Sequence, residues 1–280
     1  MSARSGHIDE RAARRAFARA APQYERAARL ESEVGARLRE RLDYVKVEPQ
    51  RILDAGSGPG RDARALAARY RGAQIVALDY ALPMLPRRGI LQRLSGKGML
   101  AVCADLARLP LQSGSVQLAW CNMALHWMNE PLAAFREFER VLSPGGLVIF
   151  STLGPDTFKE LRAAAGAARV HAFTDMHDLG DMLVAAGLTN PVMEMELITI
   201  DYTASGPLIA DLRASGQTNA RADRRRGLSP RLFGERLRAA LDASPRMTYE
   251  VVYGHAWKRP ARDTQAGDAV KTVRVFKRIP

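Results

Sequence analysis

Short apolar blocks alternate along this chain with Ala- and Arg-rich stretches of helical spacing. The blocks Arg51-Ile-Leu-Asp-Ala55, Gln74-Ile-Val-Ala-Leu-Asp79, Met99-Leu-Ala-Val-Cys-Ala-Asp105, Val116-Gln-Leu-Ala-Trp-Cys121 and Leu147-Val-Ile-Phe-Ser-Thr152 read as buried strands. Between them, residues 61–70, the segment after Pro83 and residues 131–142 read as helices. Asn129 is placed to cap the last of these, Pro131 suits its first turn, and Pro144-Gly145-Gly146 stops it. Ahead of the first strand, Phe17, Tyr24, Leu30, Val34, Leu38 and Leu42 recur at helical spacing and predict one or two helices over residues 10–42. Later segments predict a helix over 175–186 closed by Gly187, and strands over 192–200, 249–253 and 272–276.

Strands alternating with helices predict an α/β fold with a doubly wound, mostly parallel sheet. A polar, Arg-dense stretch over 202–247 separates two late strands and reads as a helical insertion capping one end of the sheet. The expected organisation is a helical cover over 1–46, a core over 47–200 and 248–280, and an Arg-rich helical insertion over 201–247.

The first strand runs into Gly56-Ser57-Gly58-Pro59-Gly60, a turn whose bare backbone can approach a ligand closely. Asp79 closes the next strand, where a carboxylate suits the two hydroxyls of a ribose. Dinucleotide fingerprints space their glycines as Gly-x-Gly-x-x-Gly for a pyrophosphate; here the third glycine comes one residue earlier and Asp54 precedes the loop. A carboxylate there opposes a diphosphate and suits a cation. S-adenosylmethionine, with its sulfonium, ammonium and ribose, is favoured over NAD. Asp105-Leu106 ends a further strand and fits either an adenine site or a turn.

Composition narrows the partners. A net charge of +12 is compatible with nucleic acid, an anionic membrane, an acidic protein or simply a basic proteome. No apolar run reaches the roughly 18 residues of a membrane span. The Arg-rich first 30 residues carry Asp9, Glu10 and Glu25 and lack the apolar centre of a secretory signal. Cys103 and Cys121, both in predicted buried strands, have no metal-ligand spacing; a cytoplasmic protein without a metal is expected.

The motifs Leu53-Asp54-Ala-Gly56-Ser-Gly58-Pro-Gly60, Ala77-Leu78-Asp79, Asp105-Leu106 and Leu142-Ser-Pro-Gly145-Gly146 resemble the class I S-adenosylmethionine-dependent methyltransferases, whose sheet has seven strands. More specific strings resemble the malonyl-acyl-carrier-protein O-methyltransferases of biotin synthesis. They are Phe17-Ala-Arg-Ala-Ala-Pro-Gln-Tyr24, Leu118-Ala-Trp-Cys-Asn122-Met-Ala-Leu-His126-Trp127, the stretch 150–162 and Asp211-Leu-Arg213-Ala-Ser-Gly216-Gln-Thr-Asn219. Residues 173–180 and the Arg213 region also resemble a respiratory-complex assembly factor of the same fold, associated with arginine hydroxylation.

The resemblance implies a cofactor site of Asp54, Gly56, Ser57, Gly58 and Gly60, with Asp79, Tyr80, Asp105, Leu106 and Asn122 beyond the loop. Its acceptor would be a malonyl group on an acidic acyl carrier protein, with neither nucleic acid nor membrane as partner. Tyr24 then faces the methyl group or packs in a core, and His126 contacts substrate or packs in a loop. Trp127 would wall the pocket, while Arg213 either meets the phosphate of the carrier arm or is a solvated helix charge. The run Arg221, Arg224, Arg225, Arg226 and Arg231 offers a carrier-docking patch or an ordinary solvated face, with Arg225 and Arg226 as the residues to test. Base methylation is disfavoured, because the loop Cys121-Asn-Met-Ala-Leu lacks the Asn/Asp-Pro-Pro-aromatic pattern and few aromatics interleave with the Arg run.

Overall fold

The computed structural model describes residues 6–86, 99–225, 227 and 230–261. Its sheet starts from β1 (Arg51–Ala55), which pairs in parallel with β2 (Gln74–Asp79) on one side. Beyond β2 lies β3 (Leu100–Cys103), again parallel. On the other side β1 pairs with β4 (Val116–Asn122), and β4 with β5 (Leu142–Leu153), both parallel. Two long antiparallel strands, β6 (Leu188–Asp201) and β7 (Arg246–Lys258), complete the order β3-β2-β1-β4-β5-β7-β6. This is the doubly wound sheet expected from the alternation, with the seven strands that the methyltransferase resemblance implies. Its strand order reverses between β1 and β4, where open α/β sheets leave a crevice for ligands.

Successive side chains alternate between two covered faces. On β1, Ile52 joins a core with Trp120, Tyr249 and the Leu30, Val34 and Leu38 side chains of α2 (Arg29–Arg41). Leu53 points the other way, into a core with Phe135 and Phe138 of α4 (Pro131–Val141) and Leu179 and Leu183 of α6 (Met176–Ala185). Phe135 and Phe138 are fully buried, so truncating either to Ala costs about 3–5 kcal/mol. α3 (Arg61–Arg69) follows the glycine turn, and α5 (Lys159–Ala165) follows β5.

Ahead of the sheet lies α1 (Glu10–Ala27), opened by Asp9, whose side chain accepts the Ala12 amide at 3.0 Å. Ala13, Ala16, Phe17 and Ala20 form its buried face. Between β6 and β7 the chain forms α7 (Ser205–Ala214) and α8 (Arg231–Asp242).

Some local expectations differ. Glu130, not Asn129, precedes α4, and no side chain caps it. The Asn129 amide is taken instead by the backbone of Ile8, accepting from its N–H at 2.7 Å and donating to its carbonyl at 3.1 Å. α4 ends at Val141 and Leu142 is already extended, so Pro144-Gly145-Gly146 lies in the first part of β5 rather than in a separate turn. Cys103 is exposed, not buried, because β3 is the sheet edge. The strand expected over 272–276 falls outside the described residues.

Candidate active site

At the carboxyl ends of β1, β2 and β4 the structure leaves a cavity of about 440 Å³ roofed by α1. Its floor is the glycine turn. The Gly56 and Ser57 amides donate to the Leu78 carbonyl at 2.8 and 2.9 Å, which folds the turn against β2. Gly56 holds φ +76°, and a Cβ there would overlap that of Ala124, so the turn tolerates only glycine. The Gly58 amide donates to Asp79 Oδ2 at 3.0 Å, and the Ala81 amide to Oδ1 at 2.7 Å. Two amides thus aim the Asp79 carboxylate at the cavity, which it lines with Gly56, Gly58 and Tyr80. Those bonds favour the charged form, but burial outweighs them and pushes the carboxyl up to about 6.

Carboxylates dominate the polar lining. Glu10, Asp79, Asp105 and Glu130 face the cavity, and no Arg or Lys among the described residues lines it. In a chain of net charge +12, that makes the pocket an acidic enclave. The Tyr80 hydroxyl on the same wall is buried and has no hydrogen-bond partner. These features fit S-adenosylmethionine: a carboxylate for a ribose diol, an unpartnered hydroxyl to satisfy, and negative walls for a sulfonium and an ammonium. A diphosphate would meet repulsion without a compensating cation. Among the described residues no cluster of three or more His, Cys, Asp or Glu side chains could hold a metal.

The remaining walls are aromatic. Phe17 stands edge-on to Trp127 at 4.9 Å between ring centroids, to Tyr24 at 6.2 Å and to Tyr80 at 6.4 Å, and all four rings line the cavity. Burial first, then the nearby charges of Glu31 and Asp79, hold the Tyr24 phenol well above its ordinary value. It is therefore a neutral hydroxyl at physiological pH, a donor rather than a base.

The general methyltransferase-domain family matches residues 53–150, the stretch from β1 to β5. The malonyl-acyl-carrier-protein O-methyltransferase of Methylovorus sp. is 47% identical, with 94% of this chain and 93% of that protein covered. The enzyme of the same name from Laribacter hongkongensis is also 47% identical, over 91% and 92% of the two chains. That from Legionella pneumophila is 40% identical, over 90% and 92%. The chain belongs to the malonyl-acyl-carrier-protein O-methyltransferase family. Solved structures place the fold alongside the YcgJ protein of Bacillus subtilis, with a TM-score of 0.55 at 16% identity, 80% of this chain and 98% of that one being covered. Phosphoethanolamine N-methyltransferase 2 of Haemonchus contortus, solved with S-adenosylhomocysteine, gives 0.50 at 16% identity over 81% and 52%.

Within this O-methyltransferase chain the anticipated site residues are not all in one place. Gly56, Gly58, Asp79, Tyr80, Asp105, Leu106, Asn122, Tyr24 and Trp127 line the cavity. Asp105 also forms a turn, accepting the Ala107 amide at 2.9 Å, so both roles foreseen for it coexist. Asp54 and Ser57 lie buried beneath the glycine turn without lining the cavity. Burial, reinforced by the neighbouring Asp62, pushes the Asp54 carboxyl up to about 8. Gly60 opens α3 and faces Met99 and Pro86.

His126 lies behind the wall, packed against Trp127 and Phe173, and does not line the cavity. Burial, then the charge of His171, holds its pKa well below the ordinary value, so it is neutral. Arg213 and Arg225 are exposed and away from the lining, and Arg226 falls outside the described residues. Arg221 is buried, paired with Asp223 at 2.6 Å and donating to the Val170 carbonyl at 3.1 Å. Arg224 pairs with Asp9 at 3.1 Å, and Arg231 with Glu235 at 2.9 Å.

Sequence reasoning missed Phe17, Glu10 and Glu130 as cavity residues. Phe17 was discoverable, because it stands seven residues before Tyr24 and hence on the same helix face. It missed Asn122 as a hub as well. The Asn122 amide donates to the Glu31 carbonyl at 2.9 Å and to Asp62 Oδ2 at 2.8 Å, and its oxygen accepts from Ser151 Oγ at 2.6 Å. Those partners lie on α2, α3 and β5, too far apart in sequence to be linked by spacing.

Proposed function

We propose that this chain transfers a methyl group from S-adenosylmethionine to the free carboxylate of a malonyl thioester on an acidic acyl carrier protein. The observation that carries the reading is the 47% identity across 94% of the chain, which takes in α1, α2 and the insertion as well as the general methyltransferase core. When bound, S-adenosylmethionine supplies an electrophilic methyl carbon on a positively charged sulfur.

The acceptor needs no deprotonation, since a malonyl carboxylate with pKa near roughly 4 is ionised at neutral pH. The cavity accords with that chemistry. His126 is neutral and lies behind the wall, and the Tyr24 phenol is protonated. What the residues contribute is placement. Asp79 and the glycine turn hold the cofactor end, and the Phe17, Tyr24 and Trp127 rings wall the cavity above it. Alignment and water exclusion of this kind supply up to roughly 7–11 kcal/mol in ideal intramolecular systems. The absence of a lining Arg or Lys serves the same end, because a tight ion pair would dampen the carboxylate nucleophile. The Tyr24 hydroxyl orients one carboxylate oxygen without neutralising it.

Incubating the pure protein with methyl-labelled S-adenosylmethionine and malonyl-loaded carrier tests the reading. A base-labile labelled ester on the carrier is expected. Label on arginine or on nucleic acid, or none on the carrier, overturns it.

A further inference from the structure

α1 presents two opposed faces. Ala13, Phe17, Ala20 and Tyr24 turn towards the cavity and core, while Arg11, Arg14, Arg15, Arg19 and Arg26 are exposed on the opposite side. At about 100° per residue the five guanidinium stems fall within one face of the helix. None makes an ion pair or hydrogen bond among the described residues. The nearby acids make their ion pairs and hydrogen bonds with other residues, although Asp9 also feels the charge of Arg15. Asp9 pairs with Arg224, Glu25 with Arg64, and Glu10 lines the cavity and meets the Asn129 amide at 3.3 Å.

This arrangement is unfavourable for the isolated helix. Like charges three and four residues apart repel, and Arg11 lies in the first turn, where the helix dipole disfavours a cation. The row also borders the site. It shares α1 with Glu10, Phe17 and Tyr24, which line the cavity. By contrast, the insertion arginines Arg221, Arg224 and Arg231 have carboxylate partners within the protein.

We infer that the outward arginine row of α1 is the docking surface for the acidic acyl carrier protein, and that the insertion run is not. The inference rests on the carrier-linked reading of the site and adds where the carrier lands. Carboxylates on the carrier would find unpaired guanidinium groups beside the cavity rim.

The test compares two acceptors, malonyl-loaded carrier and a small malonyl thioester such as the pantetheine derivative. Reversal of the row in Arg11→Glu/Arg15→Glu/Arg19→Glu lowers kcat/KM for the carrier by at least about 10-fold, the scale of lost electrostatic steering, with the change in KM. Turnover of the small thioester and the melting temperature stay at wild-type values or rise. Added salt lowers wild-type kcat/KM for the carrier and leaves that of the triple variant flat. Arg225→Glu, on the insertion, leaves carrier turnover unchanged. Equal kcat/KM for carrier in wild type and triple variant, or equal losses on both acceptors, overturns the docking surface. Should the triple variant not fold, the same steep salt dependence is expected of the wild type with carrier alone, and its absence is equally fatal. Competition by a nucleic-acid duplex stronger than by unloaded carrier would assign the row to nucleic acid instead. Failure of the underlying reading looks different: wild-type protein then binds cofactor but methylates neither malonyl acceptor.

Discussion

Asn122 and Asp62 meet through a 2.8 Å hydrogen bond that joins the end of β4 to the start of α3. Asp62 is also bonded to Arg39, and Asn122 to the Glu31 carbonyl, so both residues grip α2. Gly35 of α2 sits so near that a Cβ there would come within 2.8 Å of both side chains. Glu31 in turn accepts from Gln217 at 2.8 Å, which extends the chain of bonds to the insertion. The helical cover and the cavity floor are therefore one hydrogen-bonded unit. Asn122→Ala leaves buried acceptors unpaired and should cost about 1–3 kcal/mol of stability. It should also weaken cofactor binding, because the same residue lines the cavity. Calorimetric melting and cofactor titration measure the two effects; a change in neither would separate the network from the site.

Two carboxyls beneath and beside the glycine turn have raised pKa values, Asp79 at about 6 and Asp54 at about 8, both chiefly from burial. The folded protein thus holds protons that the unfolded chain releases near roughly 4. Stability from these groups is fully present below that value and is lost as pH rises, through about 6 for Asp79 and about 8 for Asp54. The ligand-free protein should therefore melt at a lower temperature at about pH 8.5 than at about pH 5.5, and Asp54→Asn should flatten the upper part of that slope. A bound cation favours the ionised carboxyls, so cofactor affinity should rise with pH over the same window and binding should release protons. Titrations in buffers of different ionisation enthalpy report that release directly.

How far the chain could be read before folding depends on the range of each signal. The strands at 51–55 and 74–79, the glycine turn and Asp79 are local patterns, and all form as expected. Asn129 misled because its partner, Ile8, lies 121 residues away, and a backbone so distant leaves no trace in spacing. The partners of the arginine run are hidden for a related reason. A run of charge shows its sign but not its partners, and Arg221 and Arg224 are bound to Asp223 and Asp9. His126 lies beside Trp127 in sequence, yet a single turn directs Trp127 to the cavity and His126 into an aromatic cluster.

Tyr24→Phe tests orientation without disturbing packing. The ring keeps its edge contact with Phe17 and only the hydroxyl is removed. A hydrogen bond to a charged acceptor is worth about 1.5–3 kcal/mol, so kcat should fall about 10- to 100-fold. Cofactor affinity should stay within about 2-fold, because the ring walls remain in place. The pH–rate profile should keep its shape, since a phenol held well above its ordinary pKa does not titrate in the working range. Rapid-quench measurement of labelled ester at saturating cofactor gives kcat; unchanged kcat would show that the hydroxyl is only a wall.

His126→Phe separates a histidine base from alignment. The ring is buried against Trp127 and Phe173, its Nδ1 has no hydrogen-bond partner among the described residues, and burial keeps it neutral. A phenyl ring fills similar volume and removes an unsatisfied polar atom, so stability should hold or rise. Positioned general bases contribute roughly 10²–10⁴-fold, and a loss of that size in kcat would make His126 the base. The expected result is a kcat within about 3-fold of wild type, because an acceptor already ionised has no proton to give up. The acid limb of the pH–rate profile then belongs to Asp79, whose protonation near about 6 removes the carboxylate that the glycine turn holds towards the cavity.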